Sequence, residues 1–231
     1  MLSLRRPSIE RCAALLRRSE SSKLSYAFPG SIERGETPRG FNRDRGRCLL
    51  GSGEEAWLAA VESFKIWRFM PTSVVEVIPP DTIECDQVVG VVFRGLGVWS
   101  VNPARIIRVH SSESPGRRIF GFTYATLPGH VEQGEERFLL NWDRESDEVW
   151  YELDAVSRPN HVLAWIAYPY SRWQQARFRK ESCASMKSSV DEIQAASEPQ
   201  RTRLVSRASS PNSVASGFEN EVGDDSLDSV T

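Results

Sequence analysis

The chain has 231 residues, of which 40% are hydrophobic and 26% are charged, and its formal net charge is -2. This is the composition of an ordinary globular protein. The longest apolar runs, such as residues 88–93, are far shorter than the roughly 20 residues of a transmembrane helix, so the composition excludes a membrane span.

The cysteines are far apart in the sequence and form no C-x-x-C pair, lying at Cys12, Cys48, Cys85 and Cys183. This spacing argues against a zinc site and against a secreted disulfide framework. Reduced thiols are typical of intracellular proteins, so we expect a cytoplasmic location.

Charge is distributed unevenly along the chain. Residues 1–47 carry 11 Lys and Arg against 5 Asp and Glu, whereas residues 191–231 carry 3 against 8. The basic start could attract an acidic partner or a membrane surface. Its aromatic residues do not alternate with the basic ones as base stacking requires, so we expect a solvated surface and no nucleic-acid partner. Glu10 and Glu20 argue against a transit peptide.

Two helices are predicted in the first third of the chain. Ser8 is a candidate N-cap for a helix over residues 8–20. Residues 28–46, rich in Gly, Pro and charge, read as a loop before a short strand over residues 47–50. A capping box at residues 52–55 then opens a helix over residues 54–67, whose apolar residues repeat on one face.

The middle of the chain predicts six consecutive strands. In the fourth of them Phe120, Phe122 and Tyr124 share one face, because side chains alternate along a strand. The short turns between the runs favour antiparallel neighbours. The predicted strands cover residues 74–78, 88–94, 98–109, 118–126, 135–142 and 148–157.

A long helix is predicted to follow, over residues 160–188. Its expected buried stripe is Val162, Ile166, Tyr170, Trp173 and Arg177, and Pro169 is expected to kink it. Such a helix would be roughly 40 Å long, enough to cross a sheet. We therefore expect a single domain over residues 1–190 and, since Ser, Asp and Glu dominate afterwards, a disordered acidic tail over residues 191–231.

This order of elements predicts an α+β fold, in which a curved antiparallel sheet of about six to seven strands grips the long C-terminal helix. The sheet must cover its apolar face, and the last helix is the only element long enough to do so. The arrangement is similar to the helix-grip shape of the START and birch-pollen-allergen superfamily. That resemblance implies a cavity for a hydrophobic ligand between sheet and helix.

Four phrases resemble the uncharacterised protein family 0548, a domain of unknown function: LGSGEEAWLAAVESFKIWRFMP, FGFTYATLPGHVEQGEERF, VSRPNH and YPYSRWQQARFRKES. The resemblance runs from about residue 6 to residue 190. It implies an intracellular single domain. It supplies no established catalytic residue to carry over.

The Pro-Gly-His turn between two predicted strands collects the candidate site. It brings together Tyr124, Thr126, His130 and Glu135, with Glu132 and Glu136 nearby. His130 could act as a general base or serve only as a turn residue. The other two histidines belong to different segments, so we expect no metal.

Two arginines complete the candidate set. Glu135 and Arg137 share a strand face, where they could hold a polar head group inside a cavity or form a structural ion pair. Arg105 could face an anionic ligand or simply solvent. We expect no cofactor, because the chain has no Walker A and no G-x-G-x-x-G pattern before a helix.

The tail offers two candidate modification sites. Ser206 ends an R-x-R-x-x-S pattern and Ser210 precedes a proline, so a kinase is a possible partner. Three functions remain open. The first is a module that binds a hydrophobic, lipid-like small molecule. The second is a cyclase or hydrolase with His130 as base, which we consider less favoured, and the third is a scaffold regulated by tail phosphorylation.

Overall fold

The computed structural model describes residues 2–160 and 168–208, with side chains described up to residue 197. In these ranges the chain forms three helices and eight strands. They are β1 (Leu2–Ser3), α1 (Ile9–Ser19), β2 (Asn42–Ser52), α2 (Gly53–Lys65), β3 (Val75–Ile78), β4 (Val88–Gly95), β5 (Val98–Ser114), β6 (Arg117–Thr126), β7 (Glu132–Asp143), β8 (Glu148–Pro159) and α3 (Tyr168–Ala208).

The strands form one curled antiparallel sheet in the order β2-β8-β7-β6-β5-β4-β3, and β1 pairs with β5 outside that path. Strands β3 to β7 are each paired with the next strand in the chain, while β2 lies beside β8. The predicted α+β fold class and the antiparallel hairpin order are therefore confirmed.

Two glycines permit the sharp bends of β6 and β7. Gly121 has φ 157° and Gly134 has φ 148°, a backbone conformation that side chains with a Cβ rarely adopt. A Cβ at Gly121 would lie 2.1 Å from the carbonyl oxygen of Phe138. A Cβ at Gly134 would lie 1.9 Å from that of Val156. Only glycine therefore lets these strands run so close to their neighbours where the sheet curls.

Helix α3 covers the concave face of the sheet. Met186 and Val190 are fully buried in the main hydrophobic core, which also contains Phe122 and Phe138 of the sheet. Ser182 lies on the same side of the helix. Its hydroxyl donates to the carbonyl of Phe69 at 2.6 Å and lies 2.8 Å from the Tyr151 hydroxyl. The expectation that the last helix is gripped by the sheet is confirmed.

The predicted buried stripe of this helix is wrong. Trp173 is 56% exposed, and the buried side instead runs through Phe178, Ser182, Met186 and Val190 at intervals of four residues. Ser182 interrupts the apolar residues on that side, which hides their helical periodicity in the sequence. Val162 and Ile166 lie outside the described residues. Pro169 is the second residue of α3, and since residues 161–167 before it lie outside the described residues, the predicted kink stays a prediction.

The two N-terminal helices lie near their predicted positions, but only α1 has the predicted side-chain cap bond. The backbone N–H of Arg11 donates to the Ser8 hydroxyl at 3.4 Å, as an N-cap requires. Ser52 occupies the N-cap position of α2, although its side chain makes no cap bond. Trp57 and Phe64 on the predicted face are buried.

Three boundaries differ from those predicted. Strand β2 begins at Asn42 inside the predicted loop, because it pairs with β8 along its whole length. Strand β5 continues to Ser114 in its pairing with β6. Helix α3 continues through residues 191–208, where composition predicts disorder, and the compact unit extends from Met1 to Ala196. The rest of the predicted tail, from residue 209, lies outside the described residues.

Replacing Met186 with alanine tests the packing of α3. The variant leaves a cavity between the helix and the concave face, so we expect the free energy of unfolding to fall by about 2–4 kcal/mol. Urea denaturation followed by tryptophan fluorescence measures it. The matched control is Lys180→Ala on the exposed side of the same helix, which should stay within about 0.5 kcal/mol of the wild type. Equal stability of both variants would contradict the described packing.

Candidate functional site

A cavity of about 200 Å³ lies between the N-terminal part of α3 and the concave face of the sheet. One side of its lining is apolar, and the other carries most of the polar residues of the Pro-Gly-His turn and of β7. Several of the α3 side chains that line the cavity are polar, among them Ser171, Gln174 and Gln175. Its apolar lining is Met70, Val74, Val75, Val91, Phe93 and Phe178.

Glu136 is the central polar residue of this lining. It lies directly opposite Tyr124 on the neighbouring strand, and the buried Tyr124 hydroxyl donates to Glu136 Oε2 at 2.7 Å. Burial raises the pKa of Glu136 to about 7, while the Tyr124 hydrogen bond partly offsets this rise. No group in the described part of the chain donates to the second carboxyl oxygen, Oε1.

Glu132 is the second carboxyl of the lining. Glu132, Gly134 and Glu136 share one face of β7. Because glycine has no side chain, nothing on that strand separates the two glutamates. The oxygens of Glu132 accept from the Ser157 hydroxyl at 3.0 Å and from the Gln175 amide at 2.5 Å. Burial raises its pKa as well. Both hydrogen-bond donors are neutral, so Glu132, like Glu136, has no directly bonded cation.

His130 presents a donor to the cavity. Its Nδ1 accepts the backbone N–H of Glu132 at 3.0 Å, and burial lowers its pKa to about 4. The ring is therefore neutral at pH 7 and carries its proton on Nε2. Since the Nδ1 lone pair is already engaged, His130 is arranged to donate a hydrogen bond, which does not suit the predicted general base.

The arginines near the cavity are engaged by Asp44. Arg172 of α3 contacts both carboxylate oxygens of Asp44, at 2.5 and 2.8 Å, and Arg179 contacts one at 3.1 Å. Asp44 is almost fully buried, so both cations are held in place to compensate it. These ion pairs also tie β2 to the first turns of α3.

Gln174 contributes an unsatisfied acceptor. Its amide Nε2 donates to the Tyr170 hydroxyl at 2.9 Å, which leaves Oε1 pointing away from that bond. Gln174 Oε1 is buried and has no hydrogen-bond partner. Such atoms are rare in folded proteins because an unpaired buried carbonyl costs about 1–3 kcal/mol.

Glu135 and Thr126 are at the cavity, but their polar groups are used elsewhere. The Glu135 carboxylate accepts from the Tyr26 hydroxyl at 2.6 Å and from the backbone N–H groups of Gly30 and Ile32 at 2.7 and 2.6 Å. It anchors the loop before β2 to the outer face of the sheet. The Thr126 hydroxyl accepts from the Gly134 N–H at 2.9 Å and contacts Ser25.

The structure does not bring the two predicted arginines to the cavity. Arg137 lies on the outer face with Asp154 at 3.5 Å and Glu33 at 3.7 Å. Side chains alternate along a strand, so Arg137 lies on the face of the sheet away from Glu136. The predicted pairing of Arg137 with Glu135 inside a cavity is therefore wrong. Arg105 donates to the last carbonyls of α1, at Ser19 and Glu20, where it caps that helix.

Several cavity residues had no signal in the sequence. Asp44 lies in a predicted loop, and the predicted stripe of the last helix includes neither Gln174 nor Gln175. Glu136 lies near the predicted turn, but no local pattern marks it as a cavity residue. Counting the register across the Pro-Gly-His turn would have identified it.

Neither a metal centre nor a membrane helix is found in the described residues. Residues 2–160 and 168–208 contain no group of three or more His, Cys, Asp and Glu side chains able to hold an ion. In the same ranges no helix combines the length and apolarity needed to cross a bilayer.

Glu135→Gln should destabilise the protein. Glutamine keeps only one of the two acceptor oxygens and sets its N–H₂ against at least one of the three existing donors, so we expect a loss of about 2–3 kcal/mol in the free energy of unfolding. Urea denaturation measures the loss, and limited proteolysis shows whether the loop before β2 opens. Glu36→Gln in the same loop is exposed and should change stability by at most about 0.5 kcal/mol. An unchanged Glu135→Gln variant would refute the anchoring role.

Glu136→Gln should alter the pH dependence of stability. Because folding raises the pKa of Glu136 from 4.5 to about 7, this carboxyl favours the folded state below pH 4.5 and loses that effect as the pH rises through 7. A glutamine at position 136 can still accept the hydrogen bond from the Tyr124 hydroxyl, but it carries no charge. We expect the variant to melt about 2–4 °C above the wild type at pH 8 and at the same temperature at pH 5.

Thermal denaturation at pH 5, 6, 7 and 8 measures this difference. Exposed Glu62→Gln serves as the matched control and should follow the wild type at every pH. A constant offset between Glu136→Gln and the wild type would show that Glu136 does not titrate in this range.

The sequence relatives share most of the chain. A protein-family model described as "Domain of unknown function (DUF1990)" matches residues 25–185. A UPF0548 protein of Dictyostelium discoideum is 32% identical over 173 residues, covering 71% of this chain and 80% of the relative. A UPF0548 protein of Deinococcus radiodurans is 33% identical over 188 residues, covering 76% and 88%.

Two solved structures illustrate the similarity in shape. Human STARD10 has a TM-score of 0.43 at 13% identity, with 90% of each chain covered. Ginseng major latex-like protein 151 from Panax ginseng has a TM-score of 0.41 at 10% identity, covering 64% of this chain and 97% of that one. Both TM-scores are low, so neither similarity supports an argument about function. On the sequence matches, the chain belongs to the DUF1990 family, whose curated relatives are named UPF0548 proteins.

Proposed function

We propose that this protein is a small-molecule binding module whose ligand occupies the cavity under α3. The cavity is the supporting observation: it is enclosed by apolar side chains on one side and by convergent polar groups on the other, as ligand sites usually are. At about 200 Å³ it is smaller than the ~300–1,000 Å³ typical of drug-sized ligands. The ligand is accordingly small and partly apolar.

The polar side of the cavity would orient such a ligand. His130 offers one N–H, Glu136 offers an unoccupied carboxyl oxygen, and Gln174 offers an unpaired carbonyl. A molecule that forms hydrogen bonds with these groups removes the free-energy cost of unpaired polar atoms. Its apolar part would meanwhile contact Val91 and Phe178.

The two alternative functions receive less support. An enzyme that uses His130 as base would need its Nδ1 free, but that atom accepts a backbone N–H. A phosphorylation-regulated scaffold would act through the tail. Ser206 lies in the last turns of α3 with its side chain outside the described set, and Ser210 lies outside the described residues. A kinase partner and a cytoplasmic location stay predictions.

A cavity-filling variant tests the proposed site. Ala155 lines the cavity opposite Glu136 on the neighbouring strand, so Ala155→Phe would occupy the space with a ring. We expect this variant to lose binding of small fragments at least tenfold. Ligand-observed NMR measures it with a panel of short aromatic and aliphatic molecules bearing amine, hydroxyl, amide or carboxyl groups.

The control introduces the same ring elsewhere on the protein. Ala184→Phe lies on the exposed side of α3 and should bind every fragment as the wild type does. If Ala155→Phe and the wild type bind the same fragments with equal affinity, or if the wild type binds none, the cavity is not a ligand site.

A further inference from the structure

The cavity has two carboxyl groups that, within the described residues, bond to no cation. Glu132 and Glu136 both line it, and their hydrogen bonds come from neutral groups alone: a tyrosine, a serine and an amide. The third carboxylate, Asp44, is matched by its own two arginines. Two carboxyl groups thus face a largely apolar space without a cation bonded to them.

The cavity lining also contains two acceptors that lack a hydrogen-bond partner. Within the described residues, these are Glu136 Oε1 and Gln174 Oε1. The lining offers donors as well, among them the Nε2–H of His130. A ligand that complements this lining must bring N–H or O–H donors, and positive charge would compensate the carboxylates as well.

We infer that the ligand is a small protonated amine, held through its ammonium group by Glu136 with its apolar part against Phe178 and Val91. This inference rests on the proposed function and specifies its ligand class. A primary ammonium supplies three donors for the unpaired acceptors and one positive charge for the carboxyl groups. An anionic ligand, such as a fatty acid, would instead meet two carboxyl groups, while Arg179 of the lining is already bonded to Asp44.

Binding of an amine would be coupled to proton release. Burial raises the pKa of Glu136 to about 7, and the charged and titratable groups that face it are Tyr124, Glu132, Arg179 and Asp44. The ammonium requires the ionised carboxylate. Affinity should therefore rise about tenfold between pH 6 and pH 8, as the ionised fraction of a group with a pKa of about 7 does.

Three probes of one shape but different charge test the inference: benzylamine, benzyl alcohol and benzoate. We expect the full-length protein to bind benzylamine at least tenfold more tightly than either of the others at pH 8, measured by NMR titration up to millimolar concentrations. Benzylamine affinity should increase with pH between 6 and 8, whereas benzyl alcohol affinity should not. This comparison needs no variant.

The variants locate the effect. Glu136→Gln should lose the tenfold preference for benzylamine together with its pH dependence, while it keeps benzyl alcohol binding. The exposed control Glu62→Gln should retain both properties of the wild type. Retention of the amine preference in Glu136→Gln would overturn the assignment to this carboxyl.

Failure of the inference can be separated from failure of the proposed function. If benzyl alcohol or benzoate binds as tightly as benzylamine and Ala155→Phe removes that binding, the cavity is a ligand site and the amine class is wrong. If no probe binds at millimolar concentration and no fragment responds to Ala155→Phe, both are wrong.

Discussion

The fold depends on burial of one side of α3 in the concavity of the sheet. Met186 and Val190 occupy the core, while the Ser182 hydroxyl joins the helix to Tyr151 and to the carbonyl of Phe69. These contacts lie in the middle of the helix. They hold its N-terminal part over the sheet, where polar side chains replace the apolar ones and the packing opens into the cavity.

Two neighbouring glutamates of β7 lie on different faces of the sheet and have different roles. Glu135 points outward and is fully satisfied by Tyr26 and two loop N–H groups. Glu136 points inward and retains a free oxygen in a site where burial raises its pKa to about 7. The first carboxyl therefore contributes to stability, and the second is held in a state that favours protonation until a partner compensates its charge.

Buried polar groups without a hydrogen-bond partner lower the stability of the protein when no ligand is bound. A buried carbonyl without a partner at Gln174 and a carboxyl with one free oxygen at Glu136 are both unfavourable compared with apolar packing. Their presence in one cavity, beside an apolar wall, is consistent with a site whose interactions are completed by a bound molecule. The ion pairs of Asp44 with Arg172 and Arg179 join the helix to β2 beside that site.

The sequence by itself determined the α+β class, the succession of antiparallel strands, the closing helix and the turn that carries His130, because hydrophobic alternation, turn residues and strand order are local signals. Only the tertiary structure decided which carboxyl faces the cavity, since that depends on the register between Tyr124 and Glu136 across β6 and β7. It also decided the orientation of α3, because Ser182 interrupts the apolar residues Phe178, Met186 and Val190 on its buried side. Long-range contacts, such as Asp44 with Arg172, leave no pattern in the chain because their partners lie more than a hundred residues apart.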